Sequence, residues 1–162
     1  MLVNTPVRKL SKVIAWGGLQ NQKATAVKAI IKTLVKQFGK PTLAPLKKMP
    51  DEECEQFLLS LPGVGKKVAR CVMLYSLERQ VFPVDSHCWR IANRMGWSKN
   101  TRDSKHCSIK DMDSLQAIIP PPIRFCLHIN MVSHGRKICT AQHPRCNACT
   151  VNRYCPQIGV MQ

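Results

Sequence analysis

The amino-acid sequence predicts an all-α protein. Apolar residues recur at helical spacing from 21 to 38, two glycines interrupt helical patterns at Gly63 and Gly65, and almost nothing alternates with the period of a strand. A short helix is expected over 5–15, with Val7, Leu10, Val13 and Ile14 on one side, stopped by Gly17 and Gly18. Residues 21–38 put Val27, Ile30, Ile31, Leu34, Val35 and Phe38 on a core-facing stripe. Lys28, Lys32, Lys36 and Lys40 form another row, a solvated face that also adds to a field toward phosphates.

Three prolines make 39–50 a loop, and Pro50 followed by Asp51, Glu52 and Glu53 marks the start of a helix over 51–60. Residues 66–77, nearly all apolar beyond the first turn, predict a helix at the centre of the domain. Asp85 or Ser86 opens another, running to Arg94 or Met95 and stopped by Gly96. The polar stretch 98–113 reads as a surface excursion, with a short helix over 114–119 after it. Past Pro120, Pro121 and Pro122, a helix over 123–133 is expected to turn Phe125, Ile129 and Val132 inward and to end at Gly135. The remainder, 136–162, has little periodicity and four cysteines.

The centre of this organisation is Leu61-Pro62-Gly63-Val64-Gly65-Lys66-Lys67. Glycines two apart after a proline make a tight hairpin whose backbone N–H groups can approach a phosphate, because no Cβ stands in the way. Eighteen residues past Lys67, Pro83-Val84-Asp85-Ser86-His87 sets a carboxylate at the mouth of a helix. A lysine able to act as a nucleophile, a carboxylate and a phosphate-gripping hairpin are what chemistry on a nucleic-acid backbone requires. The plainer alternatives are a phosphate-binding Lys67 and an Asp85 that only caps its helix.

At 162 residues the chain suits one domain, or one with a small appendage. Lys and Arg number 25 against nine Asp and Glu, a formal charge of +16, and such an imbalance implies a polyanionic partner. Met1 to Pro50 holds ten basic residues and no acidic one, and nothing after Asp113 is acidic. On charge alone a passive RNA or DNA binder is the simpler reading. No apolar run is long enough to span a bilayer and no signal peptide is recognisable, so an intracellular protein without a membrane role is expected.

Nine cysteines in a reducing compartment suit a metal centre plus buried thiols better than disulfides. Cys139, Cys146, Cys149 and Cys155 are spaced C-x6-C-x2-C-x5-C in a segment too poor in apolar residues to fold by core packing. The spacing admits a structural zinc ion or a [4Fe–4S] cluster, zinc being the more frequent in general. Cys54, Cys71, Cys88, Cys107 and Cys126 are expected as buried thiols. His134 and His143 lie near the four but are unnecessary as ligands, and Arg136, Lys137, Arg145 and Arg153 would display cations around the loop toward DNA phosphates.

Taken together, Leu61 to Lys67, then Val84-Asp85-Ser86-His87 with Arg90 and Asn93-Arg94, then His134-Gly135-Arg136 and the cysteine spacing resemble the endonuclease III group of helix-hairpin-helix DNA glycosylases. Weaker similarity reaches back to Gly18-Leu19-Gln20-Asn21-Gln22-Lys23-Ala24, so the resemblance covers nearly the whole chain. It implies a partial helical barrel over 1–119 with the helix-hairpin-helix at about 51–77, and a cluster lobe over 120–162 whose four cysteines hold [4Fe–4S]. It implies a monomer acting on damaged or abasic duplex DNA, in a nucleoid or a nucleus, by base excision followed by β-elimination. Lys67 matches the Schiff-base lysine and Asp85 the catalytic aspartate. Pro62, Gly63, Val64, Gly65, Lys66, His87, Arg90, Arg136, Lys137 and Arg145 are the expected DNA contacts.

Attack on C1′ requires Lys67 as the neutral amine, below its free pKa of about 10.4, through desolvation and cations such as Lys66. The lysine favours a bifunctional glycosylase over the mismatched-adenine branch. The surroundings of Arg70 and Phe82 to Trp89 also look like the plant 5-methylcytosine-excising branch, so the excised base stays open. The family barrel normally begins with further helices, carrying a glutamine-containing turn, ahead of the position of Met1; a fragment, with inactive DNA binding as its alternative function, is one expectation.

Overall fold

Helical periodicity gives helices here, and several of them face or extend differently from what the apolar pattern suggests. The structure is a computed structural model that describes residues 4–98 and 106–160. Among these are seven α-helices, α1 (Val7–Val13), α2 (Gln20–Phe38), α3 (Asp51–Leu59), α4 (Lys66–Ser76), α5 (Ser86–Arg94), α6 (Ile109–Ile118) and α7 (Arg124–Lys137), with short 3-10 turns and no strand. The fold class is all-α, and none of these helices is long and apolar enough to cross a membrane.

Two compact units part between Ala69 and Arg70. In the first, α1 packs on α2, and Leu10, Ala24, Ile31, Leu34, Leu46, Cys54 and Leu58 are buried. Of the expected stripe on α2, Ile31 and Leu34 are fully inside while Val27 is exposed. The lysine row is not uniform, for Lys28 donates to the Thr5 carbonyl at 2.7 Å while Lys32, Lys36 and Lys40 are exposed. Phe38 and Phe57 meet at 5.4 Å between ring centroids, joining the ends of α2 and α3. Pro50 precedes α3 without a side-chain cap, leaving the three acids of the first turn to complement the helix dipole.

The second unit is built on one core of Phe82, Val84, Cys88, Trp89, Ile91, Ala92, Leu115, Ile119 and Met131. That core draws on residues from both sides of 119/120, Leu115 and Ile119 before it and Met131 after it. Arg124 ties its perimeter, donating to the carbonyls of Ile119 (2.9 Å), Gln80 (2.7 Å) and Gln116 (2.6 Å).

Three sequence expectations need correcting in this unit. The helix expected over 114–119 begins at Ile109, because Ser108 and Asp111 form a reciprocal capping box in what read as a polar excursion. Residues 99–105 of that excursion lie outside the described residues. Next, α7 continues through Gly135 to Lys137, and its inner face carries His128, Met131 and Gly135 while Phe125 and Ile129 are exposed. Gly135 is there because α5 and α7 cross closely: a Cβ at 135 would lie 2.7 Å from His87 Cβ. Finally, α4 is not wholly apolar inside, since Arg70 is buried, paired with Asp113 and bonded to the Met112 carbonyl at 3.2 Å, whereas Val68 and Tyr75 are exposed. Of the five scattered cysteines Cys54 and Cys88 are buried, Cys71 and Cys107 partly so, and Cys126 is exposed.

Candidate active site

The hairpin joins α3 to α4 through a tight turn. Gly63 has φ +75°, a backbone region that favours glycine, and the Val64 N–H donates to the Leu61 carbonyl at 3.2 Å. A Cβ on Gly63 would also press within 3.2 Å of Ala26. Pro62, Gly63 and Gly65 are exposed and Val64 is partly buried, so the turn is presented to solvent at the head of an eleven-residue helix. Lys66 folds back, its ammonium 3.7 Å from Glu55, both side chains being largely covered. The cation expected to push the neighbouring amine toward neutrality is thus shared with a carboxylate. Lys67 itself is exposed, so the protein alone does not supply the desolvation expected for it.

Asp85 lies in the second unit at the head of α5. Its backbone is extended (φ −97°, ψ −179°) and its Oδ1 accepts from the Cys88 N–H at 2.8 Å. Burial pushes this carboxyl up, but the Cys88 hydrogen bond and the nearby His87 and His128 rings outweigh it and hold the group below its ordinary value. Asp85 is therefore a carboxylate at neutral pH. Beneath it, His128 Nδ1 lies 3.0 Å from the Pro83 carbonyl oxygen and 3.5 Å from Cys88 Sγ. Burial, with Asp85 beside it, pushes the Cys88 thiol far above its ordinary range, which makes it inert. Tyr75 stands edge-on to His128 at 5.8 Å; burial first, then Cys71, Cys88 and Asp85, raises its phenol.

His87 and Arg90 are turned to internal work. Arg90 donates to the carbonyls of Cys139 (2.9 Å) and Gly135 (2.8 Å), and lies 3.0 Å from His87 Nδ1, so it satisfies one carbonyl in the last turn of α7 and one just beyond the helix. That use explains why these two residues, expected at the DNA surface, are partly buried. Arg136, Lys137 and Arg145 are exposed.

Cys139, Cys146, Cys149 and Cys155 line one recess of about 400 Å³, part of it open, together with Arg94 and His134. Among the described residues, no three His, Cys, Asp or Glu side chains are set to hold a metal ion as they stand. The donor set nevertheless fits a thiolate-bound centre, with all four cysteines lining one recess, an arginine N–H on the Cys139 sulfur and no carboxylate in the wall. Sequence reasoning missed Arg70, His128 and the inward role of Arg94; the available signal was a polar residue recurring in register with the buried face of each helix.

A hairpin between two helices, opened to solvent ahead of two lysines, and a capped, ionised aspartate in the following helix define a helix-hairpin-helix protein. No family model matches the chain. It is 33% identical over 146 residues to Endonuclease III of Thermotoga maritima, covering 90% of this chain and 62% of that protein. To the DNA glycosylase/AP lyase ROS1 of Arabidopsis thaliana it is 30% identical over 164 residues, 92% of this chain but 12% of the relative. A solved trapped Endonuclease III–DNA covalent intermediate matches with a TM-score of 0.76 at 25% identity, over 96% of this chain and 67% of that one. The chain belongs to the endonuclease III family of helix-hairpin-helix DNA glycosylases, and it spans only part of the length of the relatives it matches.

Proposed function

We propose that the chain is a base-excision-repair glycosylase with abasic-site lyase activity on damaged or modified pyrimidines in duplex DNA, with Lys67 as nucleophile and Asp85 as its carboxylate partner. The observation that carries the reading is Asp85, fixed by the Cys88 amide and held ionised at the head of α5, in a family whose members act on DNA. The target nucleotide leaves the stack while the hairpin, Arg136, Lys137 and Arg145 grip the phosphates that stay. Lys67 Nζ, as the neutral amine, bonds to C1′ as the glycosidic C–N bond breaks and its electron pair departs with the base. Asp85 stabilises the positive sugar and carries the proton released by the amine. The sugar ring then opens, the C1′–O4′ bond breaking as O4′ takes the proton that Asp85 carries, and the C1′ imine that remains acidifies the 2′ hydrogen, whose removal expels the 3′ phosphate oxygen and cuts the strand.

Cys139, Cys146, Cys149 and Cys155 are the residues that would hold a [4Fe–4S] cluster, which when bound supplies a covalent staple for the C-terminal loop. Borohydride trapping on abasic duplex DNA tests the nucleophile. Wild type forms a covalent adduct and Lys67→Ala does not; an adduct in the variant, or none in wild type, ends the assignment. The exposure of Lys67 favours one alternative, a DNA-binding module without chemistry, which would bind in a salt-sensitive way and leave abasic strands intact.

A further inference from the structure

We infer that Arg94 is the positioning residue of the cysteine loop: its guanidinium orients and electrostatically supports the Cys139 sulfur, and its main chain anchors the Cys155 end. This rests on the cluster reading above. Arg94 sits at the last position of α5 and is buried at 8% exposure, although arginine is among the residues least often found inside. One nitrogen donates to Cys139 Sγ at 3.1 Å and to the Thr140 carbonyl at 2.7 Å, and the other donates to the Ala141 carbonyl at 3.0 Å. The Arg94 carbonyl accepts from the Ile158 N–H at 3.2 Å and lies 3.4 Å from Cys155 Sγ. A single residue therefore ties the first and the fourth cysteine, which are sixteen positions apart, to the end of one helix.

A planar fork with several fixed donors suits this task, because it can bind a sulfur and two carbonyls at once where an ammonium would reach fewer. Its charge also matters. A metal centre would be held by all four sulfurs as thiolates, and a buried cation on one of them would offset part of their mutual repulsion. Hydrogen bonds and positive charge on cluster sulfurs favour the reduced state, so the same contact raises the reduction potential. By contrast His134, whose Nε2 is 3.7 Å from Cys149 Sγ, makes a weaker contact with a second sulfur.

The test compares wild type, Arg94→Lys and Arg94→Met after anaerobic reconstitution with ferrous iron and sulfide. Iron and zinc per chain, loss of iron to a chelator, the reduction potential of the loaded protein and helix content by circular dichroism are measured. Expected is iron in all three, lost from Arg94→Met on the order of 10-fold more readily than from wild type, as outer-shell losses usually cost. Arg94→Lys should fall between, and the potential should drop in the order wild type, Lys, Met. If Arg94→Met also loses helix content, Arg94→Lys decides alone, and its iron retention and potential matching wild type would overturn the inference. Equal retention and potential in all three overturns it as well. Wild type that takes up zinc and no iron sinks the cluster reading instead, a result the metal analysis reports separately.

Discussion

Two stretches of the second unit solve the folding problem by different means. From Phe82 to Ile119 the chain buries large apolar side chains, Phe82 and Leu115 among them at 0% and 2% exposure. From 139 to 160 no residue is buried, and the backbone follows short 3-10 turns tied by polar contacts such as Thr140 to the His143 carbonyl (2.6 Å) and Gln157 to Asn152 (2.6 Å). Apolar burial contributes roughly 25 cal/mol per Å² removed from water, while a typical net hydrogen bond contributes about 1 kcal/mol. The loop has little of the first, and what ties it in this structure is hydrogen bonds within its short turns and to Arg94.

The sharpest way to break that contrast is to damage each stretch in turn. Phe82→Ala should cost about 3–5 kcal/mol in urea unfolding followed by helix signal, because it empties a filled core. Cys149→Ala should leave that midpoint nearly unchanged and make 139–160 sensitive to limited proteolysis; a matching loss of helix stability would mean that loop and core fold as one.

Between the two stretches in sequence runs α7, which crosses α5 closely. Gly135→Ala forces a methyl against the Cβ of His87 and should cost about 1–3 kcal/mol, with His87→Gly in the same chain, which removes that Cβ, recovering part of it. No recovery would point to backbone strain instead of side-chain collision. At the edge of the core, Ser108→Ala removes the capping box of α6 and should lower stability by about 1 kcal/mol, less than Gly135→Ala and much less than Phe82→Ala.

The smallest effect is tied to pH. Folding lowers the pKa of Asp85, so the stability its charge contributes is complete above the unfolded carboxylate value, about 3.9, and disappears as pH falls through the folded value. The stability gap between wild type and Asp85→Asn should accordingly be constant near neutrality and shrink below about pH 4. A gap that grows on acidification would contradict the sign. Under the proposed mechanism the same substitution removes base excision at neutral pH, which separates its structural role from its chemical one.

The hairpin was legible because few residues replace glycine at a positive φ. The inner face of α7 was not, since apolar periodicity cannot see that His128 and Gly135 point inward when one is polar and the other has no side chain. Arg70 escaped for a related reason: its partner Asp113 lies 43 positions on, and no local pattern links them. The exposure of Lys67 was not legible either, because it depends on what covers the side chain.

The acids of this strongly cationic chain are few, and several already have internal duties: Glu55 at Lys66, Asp113 at Arg70, Asp85 and Asp111 as helix caps. Little negative charge is left over to neutralise the exposed lysines and arginines, so the folded protein works against its own repulsion. Ionic strength then pulls two properties in opposite directions, relieving the crowding of like charges while loosening the grip on any polyanion. A buffer that best preserves the folded protein in storage is, by the same physics, a poor one in which to watch it hold nucleic acid.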